Sequence, residues 1–195
     1  MAGVDRRRLE AAVREFLVAI GEDPNREGLR RTPERVAAAC EELFAGVGAD
    51  PRDALGELFP AEHNDLVVVR NIRVHSICEH HLLPFTGLAH VCYLPGADII
   101  GLSHIPQLVE VLASRPQVQE TLTADIVSAL TQAASPRGAL AVLECTHTCV
   151  TLRGGTQPDA RVVTVSASGE LSDPQQRAEA LALCQVESGL DGGQQ

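Results

Sequence analysis

The sequence predicts an α+β protein in which an antiparallel sheet carries helices on one face and a helical arm precedes it. Three observations predict this. Apolar residues recur at helical spacing through the front third, strand-forming runs come later in two pairs, and the helical segments between those pairs are grouped together. From Asp5 to Ile20, the residues Leu9, Val13, Phe16, Leu17 and Ile20 share one helical stripe, and Gly21 follows as a stop. Thr32 as N-cap and Pro33 at the first helical position announce a second helix, running through Val36, Ala37 and Leu43 to about Ala45. The Gly/Asp/Pro-rich piece from Gly46 to Asp53 reads as a connector.

From Leu66 the period changes. Val67, Val68, Val69, Ile72 and Val74 form strand, as do Ala89, Val91, Cys92 and Tyr93 before the turn at Pro95-Gly96. One helix is expected near Pro106 to Ser114, and another is started by Pro116 and carries Val118, Leu122, Ile126, Val127 and Leu130. After the turn Pro136-Arg137-Gly138, the segments Ala139 to Val150 and Arg161 to Ser168 read as the second strand pair. A helix from Asp173 to Val186 and a polar Gly/Gln tail close the chain.

The 195 residues suffice for one domain with a sizeable core. A formal charge of −10 argues against nucleic acid as a partner, because phosphate backbones are bound by dense positive surface. All 16 basic side chains are arginine, so lysine-nucleophile and Schiff-base chemistry are excluded. The charged first thirty residues lack the apolar stretch of a signal peptide, and no run approaches the roughly 20 apolar residues of a membrane span. A cytoplasmic protein with no membrane partner is expected, whose six cysteines are thiols or metal ligands.

Two stretches carry the chemistry: Cys78-Glu79-His80-His81 and, far downstream, His147-Thr148-Cys149. Cys78 and His81 have a Cys-x-x-His spacing that lets one turn present both side chains to one zinc ion. A third ligand at Cys149 leaves one tetrahedral corner open, as catalytic zinc requires, and His80 and His147 remain beside it to move protons. His147 and Cys149 are two apart on an expected strand end, so both point to one face. Cysteines also pack in cores, and Cys40, Cys92, Cys145 and Cys184 read that way. A Cys-x-x-His with one distant Cys is a weaker pattern than a doubled Cys-x-x-Cys, so spacing alone leaves a packing role open.

Together with Ser103, Gln117-Val118-Gln119-Glu120 and the Arg153 that follows Cys149, these stretches make the chain resemble the GTP cyclohydrolase I family from about Thr32 to Leu183. The resemblance implies the tunnelling fold, a toroidal homo-oligomer (usually a decamer) with active sites between subunits, and Zn2+ as cofactor. It implies opening of a guanine nucleotide's imidazole ring at carbon 8, with loss of formate, to give 7,8-dihydroneopterin triphosphate. It implies Cys78, His81 and Cys149 as zinc ligands, and His80 and His147 as proton-transfer residues. Glu120 becomes the guanine reader, with Gln119 and backbone groups near Leu102 and Val118 beside it, and Ser103 handles the ribose during the later rearrangement. Arg35 and Arg153 become phosphate-binding forks. Residues 1–60 are then an N-terminal helical arm, 61–187 the catalytic domain and 188–195 a flexible tail. Read singly, Glu120 is an ordinary solvated helix acid, the commoner fate of a Glu, Ser103 a helix cap, and each arginine a surface ion-pair partner.

One motif departs from the family. Where the family has Lys-Ile-x-Arg after Gly101-Leu102-Ser103, this chain has His104-Ile105-Pro106-Gln107. A bias against lysine predicts arginine at His104 and leaves the second arginine alone, so composition does not explain the change. Without those two charge-assisted hydrogen bonds, worth about 1.5–3 kcal/mol each, triphosphate binding weakens by powers of ten. Three expectations follow: a GTP cyclohydrolase I in which His104, Gln107 and the remaining arginines serve the phosphates; a specialised-metabolism paralogue for a guanine derivative with fewer phosphates, or one that stops at ring opening; and a catalytically silent zinc-binding subunit, against which the retained His80, His147 and Glu120 speak.

Overall fold

The structure, a computed structural model, describes residues 3–152 and 157–184. Arg153, Val186 and the tail at 188–195 lie outside the described residues. Helix α1 (Arg6–Ala19) is capped by the Asp5 carboxylate, which accepts from the Arg8 amide at 3.1 Å. Helix α2 (Thr32–Leu43) packs on α1. Arg31 is its N-cap residue, and Thr32 lies inside the first turn, so the expected Thr32 cap does not form. A 3₁₀ turn, Pro51–Leu55, then sends Leu55 into the main core.

The strands are β1 (Leu58–Pro60), β2 (Val67–Cys78), β3 (Pro84–Leu94), β4 (Asp98–Ile100), β5 (Pro116–Gln117), β6 (Gly138–His147) and β7 (Val162–Gly169). Strands β1 and β4 pair by themselves, and the main sheet runs β5-β2-β3-β6-β7. Three of its four pairings are antiparallel, but β5 lies parallel to β2, so the sheet is mixed. The helix expected to start at Pro116 begins instead at Gln119, because Pro116 and Gln117 pair with Ile77 and Cys78. Proline, which has no amide hydrogen to donate, is tolerated there on an edge strand.

Helices α3 (His104–Ala113) and α4 (Gln119–Ala134) cover one face. Ile105, Leu108 and Leu112 of α3 and Leu122, Ile126 and Leu130 of α4 pack with Phe85, Ala89, Val91, Tyr93, Ala139, Ala141 and Leu143. The short helix α5 (Thr148–Thr151) follows β6, and helix α6 (Pro174–Cys184) lies on the opposite face, where Ala180 and Cys184 pack with Cys92, Leu140 and Val142. Helices therefore cover both faces, contrary to the expected single face. The reason is visible in β6: residues 138 to 143 are all buried, and a run with no alternation needs cover on both sides. Cys92 and Cys184 bring their sulfurs to 3.4 Å across this second core.

A β-bulge in β2 sets the position of the site. Between the pairs Val69↔Val91 and Ile72↔Ala89, the two residues Arg70 and Asn71 oppose the single residue His90. Asn71 adopts φ 60°, a left-handed conformation that Asn tolerates better than most residues. Val67 and Val69 face the main core before the bulge, and Ile72, Val74 and Cys78 face it afterwards. The extra residue thus moves the inward set from odd to even numbers and carries Cys78 to the face covered by α3 and α4.

Candidate metal centre

Strand β2 ends, β3 and α4 begin, and β6 ends at the same end of the sheet. Between β2 and β3 the chain turns tightly: the Leu82 amide donates to the Cys78 carbonyl and the Cys78 amide to the Leu83 carbonyl, both at 2.8 Å. Leu82 takes a left-handed φ of 52° to close this turn, which exposes His80 and His81 while Cys78 stays buried. The Glu79 amide donates to the Gln117 carbonyl at 3.1 Å, tying the turn to the Gln117-Val118-Gln119-Glu120 segment.

On the other side β6 stops at His147, and α5 begins at once. The strand expected to reach Val150 is therefore shorter, and His147 and Cys149 do not share a strand face. Cys149 arrives on a helical turn, anchored where the Thr148 hydroxyl donates to the Pro84 carbonyl at 2.6 Å. One ligand atom each from Cys78, His81 and Cys149 then lie within 4.8 Å of one another. Two cysteine sulfurs and one imidazole are donors suited to zinc, and they leave a coordination position open. Cys78 is buried, Cys149 half-buried and His81 exposed, so the cluster opens to solvent on its histidine side.

His147 is held differently from the cluster. It is the cross-strand partner of Phe85, and the two rings stack with centroids 4.5 Å apart and planes 11° from parallel. Its Nε2 lies 2.8 Å from Oε1 of Gln119. The Gln119 amide nitrogen donates to the carbonyls of Leu143 at 3.1 Å and Val162 at 2.9 Å, and to the Thr164 hydroxyl at 3.0 Å. Thr123 braces the same network, donating to the Gln119 carbonyl at 2.7 Å and touching the Thr164 hydroxyl at 2.6 Å. Burial pulls the His147 pKa below its ordinary value, and the nearby Glu120 carboxylate opposes that shift. Glu120 itself is exposed in the first turn of α4.

Gln119, expected beside the guanine, is only 1% exposed, and its amide is occupied by the chain's own groups. Phe85, Thr123 and Thr164 carry no signal in the sequence that marks them as part of the site. The β3–β6 register brings Phe85 to His147 and the packing of α4 on β7 brings Thr164 to Gln119, neither of which sequence reveals, while Thr123 lies one helical turn after Gln119. Leu102 and Ser103 lie exposed just before α3, and Ser103 occupies the N-cap position without a side-chain cap bond. His104 tucks its ring between Gly56 and Gly101, where an added Cβ would come within 2.6 and 2.8 Å of ring atoms. Its Nδ1 lies 3.0 Å from the Ala54 carbonyl and 3.2 Å from Oε1 of Gln107. Val118 is half-buried at the N-cap of α4, and Arg35 is exposed on α2.

Cys78, His81 and Cys149 form a group that could hold a metal ion, with the sulfur and imidazole donors that metal-dependent hydrolases use. The model of GTP cyclohydrolase I matches residues 9–185. The chain is 51% identical over 181 residues to GTP cyclohydrolase 1 of Streptomyces griseus, covering 92% of this chain and 90% of that protein. It is 52% identical over 185 residues to the same-named protein of Leifsonia xyli, covering 94% and 97%, and 52% over 182 residues to that of Mycobacterium leprae, covering 92% and 89%. This chain belongs to the GTP cyclohydrolase I family.

Proposed function

We propose that the chain hydrolytically opens the imidazole ring of GTP at carbon 8, releasing formate and leading to 7,8-dihydroneopterin triphosphate. The observation that carries this reading is the meeting of Cys78, His81 and Cys149 within 4.8 Å, in a chain about half identical to proteins named GTP cyclohydrolase 1. Cys78, His81 and Cys149 would hold Zn2+. A zinc ion there supplies the Lewis acidity that makes water a nucleophile near neutral pH. His147 delivers a proton to the ring nitrogen as its bond to carbon 8 breaks, and His80 serves as the second proton carrier. The Glu120 carboxylate accepts from the guanine ring N–H and exocyclic amine, with the backbone near Leu102 and Val118 lining the base. Ser103 handles the ribose, while Arg35 and Arg153 bind phosphate.

The family resemblance supports a tunnelling fold, a helical arm over residues 1–60 and a toroidal homo-oligomer, taken as a decamer. Among the described residues no helix is long and apolar enough to cross a membrane. The net charge of −10 speaks against nucleic acid as a partner.

A specific observation favours a second reading, a guanine derivative with fewer phosphates. His104 spends its Nδ1 on the Ala54 carbonyl and Gln107 turns its Oε1 toward His104, so neither position extends a permanent cation. The test is a panel of GTP, GMP, guanosine and guanine with zinc-loaded protein, followed by formate release and by mass spectrometry of the product. Fastest turnover of GTP to an intact pterin supports the first reading, and preference for GMP or guanosine supports the second. No formate from any of them overturns both and leaves a catalytically silent subunit.

A further inference from the structure

We infer that Gln119 is a positioning residue that fixes the orientation and tautomer of His147, so that Nε2 carries its hydrogen into the protein and Nδ1 is the nitrogen left for chemistry. The inference rests on the proposed role of His147 in proton transfer. The Gln119 amide can be placed only one way. Its nitrogen faces the Leu143 and Val162 carbonyl oxygens, which cannot donate, so the NH2 group must be there and the amide oxygen must face His147. An amide oxygen can only accept, so the Nε2 at 2.8 Å is the donor.

Two further contacts keep this geometry from relaxing. Stacking on Phe85 fixes the plane of the imidazole, and Phe85 is itself fully buried. The Thr164 hydroxyl accepts from the Gln119 amide nitrogen while the Thr123 hydroxyl donates to the Gln119 backbone carbonyl, and the Gln119 side chain cannot swing toward solvent without abandoning three acceptors. Among the described residues Nδ1 of His147 has no hydrogen-bond partner. A histidine held in one tautomer by an acceptor behind it resembles other catalytic histidines, in which losing the correct tautomer is costly even though the ring remains in place.

The experiment uses full-length, zinc-loaded protein labelled with 15N-histidine, in which the His147 signals are assigned by their absence from His147→Ala. Wild-type protein is expected to show the Nε2–H tautomer; a dominant Nδ1–H tautomer overturns the inference with no variant needed. Gln119→Met is expected to give mixed tautomers, to lower kcat for formate release about 10- to 100-fold and to leave KM and zinc content near wild type. A raised KM with unchanged kcat in Gln119→Met makes Gln119 a substrate contact and overturns the inference. If His147→Ala itself releases formate at the wild-type rate, the proton-transfer role fails, and the tautomer spectrum still reports whether Gln119 sets the ring.

Discussion

His80 and His147 flank the same cluster and are held by opposite means. The His80 side chain is 66% exposed, and the nearest carboxylate oxygen, on Glu79, is 4.0 Å away. His147 is stacked on a buried phenylalanine and bonded to a glutamine that is itself bonded into two strands. The difference teaches that the fold fixes one imidazole in advance and leaves the other exposed, so under the proposed function the second proton carrier would be ordered by what binds at the open side. A strand end within the sheet supplies neighbours on several sides, whereas a tight turn has neighbours mainly behind it.

The contrast can be broken most severely at the cluster itself. Cys149→Ala should release zinc and abolish formate production, read by elemental analysis and formate assay; full metal occupancy in that variant removes Cys149 from the ligand set. Next in size, His147→Ala should keep its zinc and lower kcat about 10²- to 10⁴-fold, the range of a lost general acid or base. The same variant leaves the Gln119 oxygen without its donor, which should lower stability by about 1–3 kcal/mol in urea unfolding. His80→Ala should lose activity with no measurable change in stability, since its ring is mostly solvated; equal destabilisation of the two variants would erase the contrast. Phe85→Ala, which removes a fully buried ring beneath His147, should cost about 3–5 kcal/mol. The smallest effect is expected at the neck of α3. His104→Lys with Gln107→Arg should lower KM for GTP if the native substrate carries fewer phosphates, and an unchanged KM favours GTP as the native substrate.

The α-helical front, the main strands and the identity of the three clustered side chains are legible in the sequence because each rests on local signals: periodicity, turn residues and ligand type. Pro116 misleads, because a proline that starts helices also tolerates a sheet edge, and only pairing with Ile77 decides between them. Cys149 does meet Cys78 and His81, but from a helical turn and not from a strand face. Residues 139 to 147 do form strand, but the chain changes to a helical turn where Thr148 bonds to Pro84, a contact between segments remote in sequence. Gln119 reads as a substrate contact because it stands beside Glu120 in the same motif. Its burial depends on β7, whose Val162 carbonyl and Thr164 hydroxyl capture the amide.

The bulge at Arg70 and Asn71 imposes a parity rule on the gene. Forcing Arg70 and Asn71 into regular pairing with no residue removed would turn Ile72, Val74 and Cys78 toward the α6 side and part Cys78 from Cys149, whereas deleting one of the two would keep Ile72 opposite Ala89 and Cys78 on the core face. Length variation in this protein should therefore be absorbed in surface connections such as the stretch between α1 and α2, while between Val69 and Cys78 a single-residue deletion keeps Cys78 facing inward only at the bulge. A sheet can thus set which way a ligand points through how two strands pair, with no ligand altered.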